Sequence, residues 1–467
     1  MNKYNKLAKN TGIFFIANFG SKVLSFLFVR FYTELLSVEE YGIIDLLHTT
    51  ASLAVPIITL CITEAVLRFS IDDETNRGKI LTNGLFTAVL GNALFVFTAP
   101  LLVKVEAFSD NIMWIYLLSV SNSVYMITSH FARGIGNSKL FALSGILHTI
   151  FQIALNIILL AGLSLGIKGY LVASVLSNFV VAGYVFFRGN LYRYIIKGID
   201  KKYLKAMLIY AIPLVPNSVF WWIMQSSNRY MITFLLSATH NGLYAVANKI
   251  PTLITTISSI FFQAWQISAV EDANSDDRAK FYTNIFQILS SLITIASSGV
   301  LIILQPLYKI LTEESYYSGW TSVPFLLCAT IFSCYASFLG TNYVAMKKTK
   351  GVFLTTVIGA VVNVSFNFLL IPYVGIRGTA ISTFLAFFVT WLVRAIDTRK
   401  FVKIEYSPIQ FIIPTFILLL QSILLTFGVE TILLQITLFI VIVVCYIRSL
   451  KTLIGDGINM LKKKGGK

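Results

Sequence analysis

The sequence has few charged residues and few cysteines for its length. Only 12% of its 467 residues are charged and 56% are hydrophobic, whereas about a quarter of the residues of a soluble globular protein are charged. So little charge does not cover the surface of a soluble body of this size. A cytosolic enzyme and a disordered chain are therefore both excluded.

The four cysteines also form no metal or redox pattern. Cys61, Cys328, Cys334 and Cys445 lie inside apolar runs, without a Cys-x-x-Cys pair and without a histidine at ligand spacing. Metalloprotease, serine-hydrolase and acidic-pair motifs are missing as well. We expect no metal site, no catalytic residues and no resident cofactor, and we expect the protein not to be an enzyme.

What the sequence does have is a series of long apolar runs, each able to supply the roughly 20 residues that a membrane-spanning helix needs. The connectors between the runs are too short for a folded soluble domain. We predict an all-α polytopic membrane protein with about fourteen transmembrane helices. The predicted spans are residues 11–35, 42–67, 80–101, 111–131, 140–162, 169–188, 206–235, 243–269, 281–304, 320–344, 352–372, 378–396, 408–427 and 432–449.

The net charge of +16 follows the predicted topology. If the N-terminus is cytoplasmic, 29 of the 37 lysines and arginines fall in cytoplasmic segments, 4 fall in outer loops and 4 lie within spans. This asymmetry obeys the positive-inside rule and predicts that both termini are cytoplasmic. Basic residues beside anionic membrane lipids explain the charge, so we expect no nucleic-acid partner.

The chain also contains an internal repeat. Four pairs of segments match at offsets of 200 to 211 residues: Leu36-Ser37 and Gly42 with Leu236-Ser237 and Gly242, Arg77-Gly78-Lys79 with Arg278-Ala279-Lys280, Leu155-Asn156 with Phe366-Asn367, and Gly166-Ile167-Lys168-Gly169 with Gly375-Ile376-Arg377-Gly378. Each copy holds six predicted spans, an even number, so the two copies share one orientation. Parallel repeats of this kind occur in transporters that work by alternating access.

The repeat divides the chain into two six-helix lobes and two additional C-terminal helices. We predict a first lobe at 1–190, a cytoplasmic amphipathic linker helix at 191–205, a second lobe at 206–397, and the last two spans with a basic cytoplasmic tail at 398–467.

Four cations lie inside predicted spans: Lys22, Arg30, Arg229 and Lys249. A charged residue at the centre of a span costs at least ~2.5–3.5 kcal/mol and is by default a functional candidate. Lys22, Arg229 and Lys249 have no acidic residue one turn away on their own helices. We predict that these cations line a shared water-filled cavity, which suits an anionic substrate; the alternative is that the side chains snorkel to the interface.

Acidic residues in the spans offer structural alternatives. Arg30 with Glu34, and Glu64 with Arg68, are spaced i,i+4 and can form pairs on their own helices. Asp45 is placed to contact Arg30 or to cap its helix.

Two further groups are candidates for the cavity or for ion coupling. His48 is the histidine placed to titrate within a span, with a proton or sodium ion as the candidate coupling ion. Gln263 and Trp265 could meet a sugar ring inside the cavity. Core packing is the more common role of such an aromatic residue.

Four stretches of the chain form a recognisable set: Leu36-Ser37-Val38-Glu39-Glu40-Tyr41-Gly42, Glu64-Ala65-Val66-Leu67-Arg68-Phe69, Gly242-Leu243-Tyr244-Ala245-Val246-Ala247-Asn248-Lys249-Ile250-Pro251 and Phe262-Gln263-Ala264-Trp265-Gln266. They resemble a known family, the polysaccharide repeat-unit flippases (Wzx-type) of the multidrug/oligosaccharidyl-lipid/polysaccharide exporter superfamily. The resemblance covers nearly the whole chain.

The resemblance implies a carrier in the bacterial cytoplasmic membrane. Its substrate would be an undecaprenyl-diphosphate-linked glycan, moved to the outer leaflet for capsule, O-antigen or exopolysaccharide synthesis, with a polymerase and glycosyltransferases as pathway partners. Carried over by position, Lys22, Arg30, Arg229 and Lys249 would line the cavity. Many relatives have an aspartate where this chain has Asn228, so the carboxylate expected beside Arg229 is missing.

Two other functions compete with this one. A cation-coupled multidrug exporter of the same superfamily would favour acidic residues at membrane depth, whereas the candidates here are mainly basic. A membrane-embedded polysaccharide polymerase would need a long charged outer loop, and the predicted outer loops are short.

Overall fold

The computed structural model describes residue 20 and residues 23–103, 109–271, 278–346, 349–428 and 431–447. Within these ranges the secondary structure is helical and contains no strand. The chain forms two compact units, Met1–Ala245 and Val246–Lys467. The predicted all-α fold is confirmed; the predicted lobe boundaries, which rest on the repeat, stay a prediction.

The first unit is built from helices joined by short turns. They are α1 (Val29–Leu35), α2 (Val38–Ile58), α3 (Ile62–Asp72), α4 (Arg77–Phe95), α5 (Ala99–Leu102), α6 (Ile112–Gly134), α7 (Ser138–Asn156), α8 (Gly166–Arg188), α9 (Lys201–Ala211), α10 (Leu214–Leu235) and α11 (Ala238–Ala247), the last of which contains the unit boundary.

The second unit has the same construction. Its helices are α12 (Lys249–Glu271), α13 (Arg278–Ile302), α14 (Leu304–Leu311), α15 (Val323–Ala345), α16 (Thr349–Val374), α17 (Ile376–Asp397), α18 (Ile413–Thr426) and α19 (Ile432–Cys445).

Eleven helices in the described ranges are long and apolar enough to cross a membrane. They match eleven of the fourteen predicted spans. Of the other three, the span at 11–35 is described only in part, the span at 243–269 is divided between α11 and α12, and the span at 432–449 is described as the shorter helix α19.

Two predicted spans are broken where the backbone cannot continue as a helix. The span at 42–67 ends as α2 at Ile58, because Leu60 and Cys61 have φ angles of 51° and 53°, and it restarts as α3. The span at 206–235 is divided at Pro213, which has no N–H to donate to the preceding turn.

The prediction that residues 191–205 form one amphipathic helix is wrong. A short 3₁₀ turn at Leu191–Tyr194 is followed by non-helical residues, and α9 starts only at Lys201. Gly198 has a φ of +86°, which interrupts a helix. The Asp200 carboxylate then caps α9 by accepting the backbone N–H of Tyr203 at 3.0 Å.

The internal repeat is visible in the local structure. In each copy the Leu-Ser pair directly precedes a helix, α2 or α11, and the Arg-x-Lys segment begins one, α4 or α13. Gly166 and Gly375 both take positive φ angles, 53° and 62°, where α8 and α17 begin. Asn156 and Asn367 are both fully buried. Equivalent residues therefore have the same local structural role in both copies.

Small polar side chains join helices inside the first unit. Asn92 on α4 donates its side-chain N–H to Ser123 on α6 at 3.3 Å, and Asn178 on α8 donates to Ser121 at 3.1 Å. In a membrane, small and polar residues allow helices to approach closely and bond to each other. These contacts fix the frame that carries α2.

Polar side chains also join helices inside the second unit. The Ser290 hydroxyl lies 3.0 Å from the hydroxyls of both Tyr335 and Tyr446. Ser298 donates to the Gln421 side-chain oxygen at 2.6 Å. These bonds tie α13 to α15, to α18 and to the residue that follows α19.

Candidate functional site

The first turns of α2 and α11 touch through their backbones. A Cβ atom on Gly42 would lie 1.9 Å from the Ala238 carbonyl oxygen, and one on Gly242 would lie 1.9 Å from the Val38 carbonyl oxygen. Asn241 also donates its side-chain N–H to the Gly42 carbonyl at 2.8 Å. Because 38 and 238, and 42 and 242, are repeat-equivalent, the contact is reciprocal: the two copies meet at matching points.

One turn further along α2, an ion pair joins it to α10. Arg229 Nε donates to an Asp45 carboxylate oxygen at 2.7 Å, and the two side chains are only 16% and 18% exposed. Arg229 also donates to the Gln225 carbonyl at 3.2 Å and lies 6.0 Å from the centre of the Tyr244 ring. The prediction that Arg229 is an unpaired cation is wrong, because its partner comes from another helix.

This pair corrects two further expectations. Asp45 contacts Arg229 and neither contacts Arg30 nor caps α2, because Ser37 is the cap and forms a capping box with Glu40. Asn228, the residue before Arg229, is buried and donates to the Tyr244 hydroxyl at 3.2 Å. Asp45 therefore supplies, from α2, the carboxylate that Asn228 does not.

More polar contacts continue along the same two helices. The hydroxyls of Thr50 and Tyr230 lie 2.6 Å apart. The Trp222 indole N–H donates to the Thr49 carbonyl at 3.1 Å and to the Ser52 hydroxyl at 3.2 Å. We call this set the α2–α10 seam: Asp45, Thr49, Thr50 and Ser52 on α2, with Trp222, Arg229 and Tyr230 on α10.

Two other charged candidates, Arg30 and Arg68, form ion pairs on their own helices. Arg30 bonds Glu34 at 2.6 Å, and both side chains are more than two-fifths exposed, so the structural alternative describes this pair. Arg68 bonds Asp72 at 3.0 Å, so the predicted pair with Glu64 is wrong. Arg68 lies midway between the two acids on α3, and the helix alone allowed either choice.

Two uncharged candidates lie against aromatic rings. His48 on α2 is half-buried, and its ring lies edge-on to that of Tyr170 with centres 5.9 Å apart. Trp265 on α12 is 3% exposed and stacks on Phe338 at 4.5 Å between ring centres, with Phe261 parallel to it at 6.4 Å. Core packing, the alternative to sugar stacking, therefore describes Trp265 in this structure.

The remaining candidates are not brought to the seam. Lys22 and the side chain of Gln263 lie outside the described residues. Lys249 is half-buried at the start of α12, in the second unit. A cavity shared by the four cations stays a prediction.

One buried cation escaped the sequence analysis. Arg394, assigned to a cytoplasmic segment, is 1% exposed within α17. Its guanidinium donates to the Thr355 hydroxyl at 2.9 Å, the Ala336 carbonyl at 2.7 Å and the Thr356 hydroxyl at 3.1 Å. In the sequence, the adjacent threonines Thr355 and Thr356 on α16 are a signal for a buried partner such as Arg394. The signal is weak, because threonines are common in apolar helices.

Comparison with known proteins gives one family match. Residues 7–267 match the family model described as polysaccharide biosynthesis protein. No curated protein sequence matches the chain.

Solved structures share the fold. An inward-facing multidrug resistance MATE transporter of the MOP superfamily superimposes with a TM-score of 0.65 at 13% identity, over 83% of this chain and 94% of its own. The lipid II flippase MurJ, in an inward closed conformation, gives a TM-score of 0.64 at 15% identity, over 95% and 99%. A MOP superfamily transporter from Pyrococcus furiosus gives 0.58 at 12% identity, over 84% and 95%. At these identities the likeness concerns the fold alone.

Proposed function

The chain belongs to the polysaccharide biosynthesis protein family, and from this premise we propose that it is a flippase for lipid-linked oligosaccharides. Its substrate is an undecaprenyl-diphosphate-linked repeat unit, carried from the cytoplasmic to the outer leaflet of the cytoplasmic membrane. Transport proceeds by alternating access, without covalent chemistry. The multi-pass helical fold, shared with MOP superfamily transporters, supports this proposal.

The observation that carries the proposal is the half-buried ion pair between Asp45 and Arg229. An arginine fork binds a carboxylate and a phosphate with the same geometry. A diphosphate carries more negative charge than a carboxylate, so it competes well for the guanidinium once α2 and α10 separate. In the proposed cycle, Arg229 exchanges Asp45 for the substrate diphosphate.

The α2–α10 seam serves as a gate in this cycle. With the predicted cytoplasmic N-terminus, Gly42 and Asp45 lie towards the outer end of α2, so the contacts near them keep the outer side closed. One charge-assisted bond and three neutral bonds together stabilise the seam by roughly 3–7 kcal/mol. This is near the ~5.5 kcal/mol of differential affinity that shifts an equilibrium from 1:99 to 99:1. Opening the seam therefore requires the bound substrate to favour the open state by a comparable free energy.

The membrane potential favours the proposed direction. Moving a negative charge outward across an inside-negative membrane potential releases about 2.3 kcal/mol per charge per 100 mV. The multidrug-exporter alternative needs an acid available to a cationic drug, whereas Asp45 is already bonded to Arg229.

A reconstituted transport assay tests the proposal. Proteoliposomes are loaded with a fluorescent undecaprenyl-diphosphate oligosaccharide, and its movement between leaflets is followed by quenching from outside. We expect the purified protein to accelerate translocation and Arg229→Gln to slow it strongly at low substrate concentration. Arg188→Gln is the matched control, since Arg188 is exposed at the end of α8 and lies outside the seam. Translocation equal to that of empty liposomes would refute the proposal.

A cysteine cross-link tests the gate. Thr50→Cys with Tyr230→Cys, in a background without the native cysteines, places one thiol on each side of the seam at residues whose side chains are in contact. A cysteine is shorter than a tyrosine, so a reducible bifunctional thiol reagent bridges the pair. Cross-linking should stop transport, and reduction should restore it. Each single-cysteine variant controls for the substitutions. Full transport by the cross-linked protein would show that the seam does not open.

A further inference from the structure

The helix α9 presents two different faces. On one face, Met207 and Ala211 are fully buried in the first unit, and the Tyr203 hydroxyl donates to the Asp73 carboxylate. The opposite face borders an open cleft of about 540 Å³ beside the break at Pro213. Two lysines lie at one end of this cleft and an apolar stripe forms the rest: Lys201, Lys205, Leu204, Leu208, Ile209 and Ile212.

The two lysines leave the cleft positively charged. Lys201 and Lys205 are exposed and one helical turn apart, and neither forms an ion pair with another residue in the described ranges. The neighbouring acid, Asp200, does not pair with either lysine, because it bonds Lys79 at 3.0 Å and caps α9. The wall of the cleft is almost entirely apolar, so the lysines line it with their aliphatic stems and their ammonium groups lie at its rim, where they would meet an anionic group.

The dimensions of the stripe fit one leaflet of a membrane. Lys201 and Ile212 are eleven residues apart, which corresponds to ~17 Å of helix. Half of a bilayer's hydrocarbon core is about 15 Å thick. Ile209 and Ile212 remain 65% and 47% exposed, so the stripe is open to the surroundings. A charged end joined to an apolar stripe of this length matches a lipid with its head group beside the lysines.

We propose that this cleft binds an anionic glycerophospholipid of the cytoplasmic leaflet. The ammonium groups of Lys201 and Lys205 hold the head-group phosphate, and an acyl chain lies along Leu204, Leu208 and Ile212. The predicted positive-inside orientation places the lysines at the cytoplasmic surface. The site is separate from the seam that we assign to the transported substrate, and its existence does not depend on the substrate's identity.

The bound lipid has a mechanical consequence. The cleft ends at Pro213, where α9 gives way to α10, and α10 carries Trp222, Arg229 and Tyr230 of the α2–α10 seam. A lipid packed against the break limits the bending of α9 relative to α10. Anionic lipid content should therefore alter transport through α10 without any contact between this lipid and the substrate.

The test measures retained lipid on the intact, full-length protein. Phosphatidylglycerol or phosphatidylcholine is titrated into the detergent-solubilised protein, and bound lipid is counted by native mass spectrometry. The test variant is Lys201→Gln with Lys205→Gln. The matched control is Lys197→Gln with Lys202→Gln, which removes the same charge from nearby exposed positions outside the cleft.

We expect the test variant to lose phosphatidylglycerol affinity by roughly tenfold or more, since each lysine near an anionic lipid surface contributes a severalfold effect. The control should keep wild-type affinity, and phosphatidylcholine should bind weakly to all forms. A second variant, Ile209→Trp, fills the cleft and keeps both lysines; it should lose phosphatidylglycerol as well.

Three outcomes would overturn the proposal. Equal losses in the test and control variants would mean general surface attraction. Unchanged binding by Ile209→Trp would mean that no acyl chain enters the cleft. Displacement of phosphatidylglycerol by the undecaprenyl-diphosphate oligosaccharide, abolished in the test variant, would assign the cleft to the transported lipid. None of these results depends on whether the transport assay succeeds.

Discussion

The two partners of the seam ion pair should respond differently to neutralisation. Asp45 and Arg229 lie 2.7 Å apart at 16–18% exposure, so the pair falls between a solvated surface pair and a fully buried one. Exposed pairs contribute up to about 1 kcal/mol, and breaking a fully buried pair costs about 3–5 kcal/mol. We therefore expect Asp45→Asn and Arg229→Gln each to destabilise the protein by about 1–3 kcal/mol.

The double variant separates pairing from other effects. With both charges removed, no ion stays uncompensated, so the loss should be smaller than the sum of the single losses by about 1–2 kcal/mol. Unfolding of the purified protein in detergent, followed by tryptophan fluorescence, measures all three variants. Additive losses would mean that the ion pair does not stabilise the fold.

Transport kinetics then distinguish an ion pair that opens during transport from one that only stabilises the fold. If Arg229 exchanges Asp45 for the diphosphate, Arg229→Gln removes a charge-assisted contact of about 1.5–3 kcal/mol, a rise in KM of roughly 10- to 150-fold. Asp45→Asn leaves the guanidinium free for substrate, so its KM should stay at or below the wild-type value. Equal rises in KM in both variants would refute the exchange of partners, because they would show that the pair acts only as a unit.

Three further predictions concern the frame around the site. Gly242→Ala should destabilise the protein by about 1–3 kcal/mol, because its Cβ would lie 1.9 Å from the Val38 carbonyl oxygen, whereas Gly183→Ala, with open space around its Cβ, should be neutral or stabilising; a Gly242→Ala melting temperature equal to or above that of Gly183→Ala would contradict the backbone contact. Arg394→Lys should cost about 1–3 kcal/mol despite keeping the charge, because an ammonium cannot reproduce the guanidinium fork; a wild-type melting temperature would show that the buried charge alone matters. Hydrogen bonds from Tyr203, and then from Thr75 and Asn76, hold the pKa of Asp73 below its ordinary value, so its stabilising contribution is complete above about pH 4 and is lost as the pH falls further; melting temperatures between pH 6 and pH 3 should fall more steeply in wild type than in Asp73→Asn, and parallel curves would oppose this assignment.

Helices and repeat could be predicted from the sequence because both depend on local properties. An apolar run of sufficient length forms a span wherever it occurs, and eleven predicted spans are matched by helices of spanning length. The repeated glycines could be recognised in the sequence as a pattern. Their structural role could not be predicted, because only the folded chain shows that Gly42 and Gly242 allow two backbones to touch.

The linker shows how a local rule can mislead. Residues 191–205 carry an amphipathic helical pattern, and hydrophobic periodicity favours a helix there. The positive φ of Gly198 and the cap at Asp200 instead start the helix at Lys201. A single glycine and a single capping residue decide where such a helix begins. The hydrophobic periodicity of the neighbouring residues contains no information about either of them.

The sequence by itself determined that this protein is a helical, multi-pass membrane protein, since the length and composition of each apolar run decide whether it can cross a bilayer. Only the tertiary structure decided which ions pair. Asp45 and Arg229 are 184 residues apart, and Arg68 had two acids at equal spacing on its own helix. Ion pairing depends on distances of a few ångströms between helices, and those distances come from packing and not from spacing along the chain.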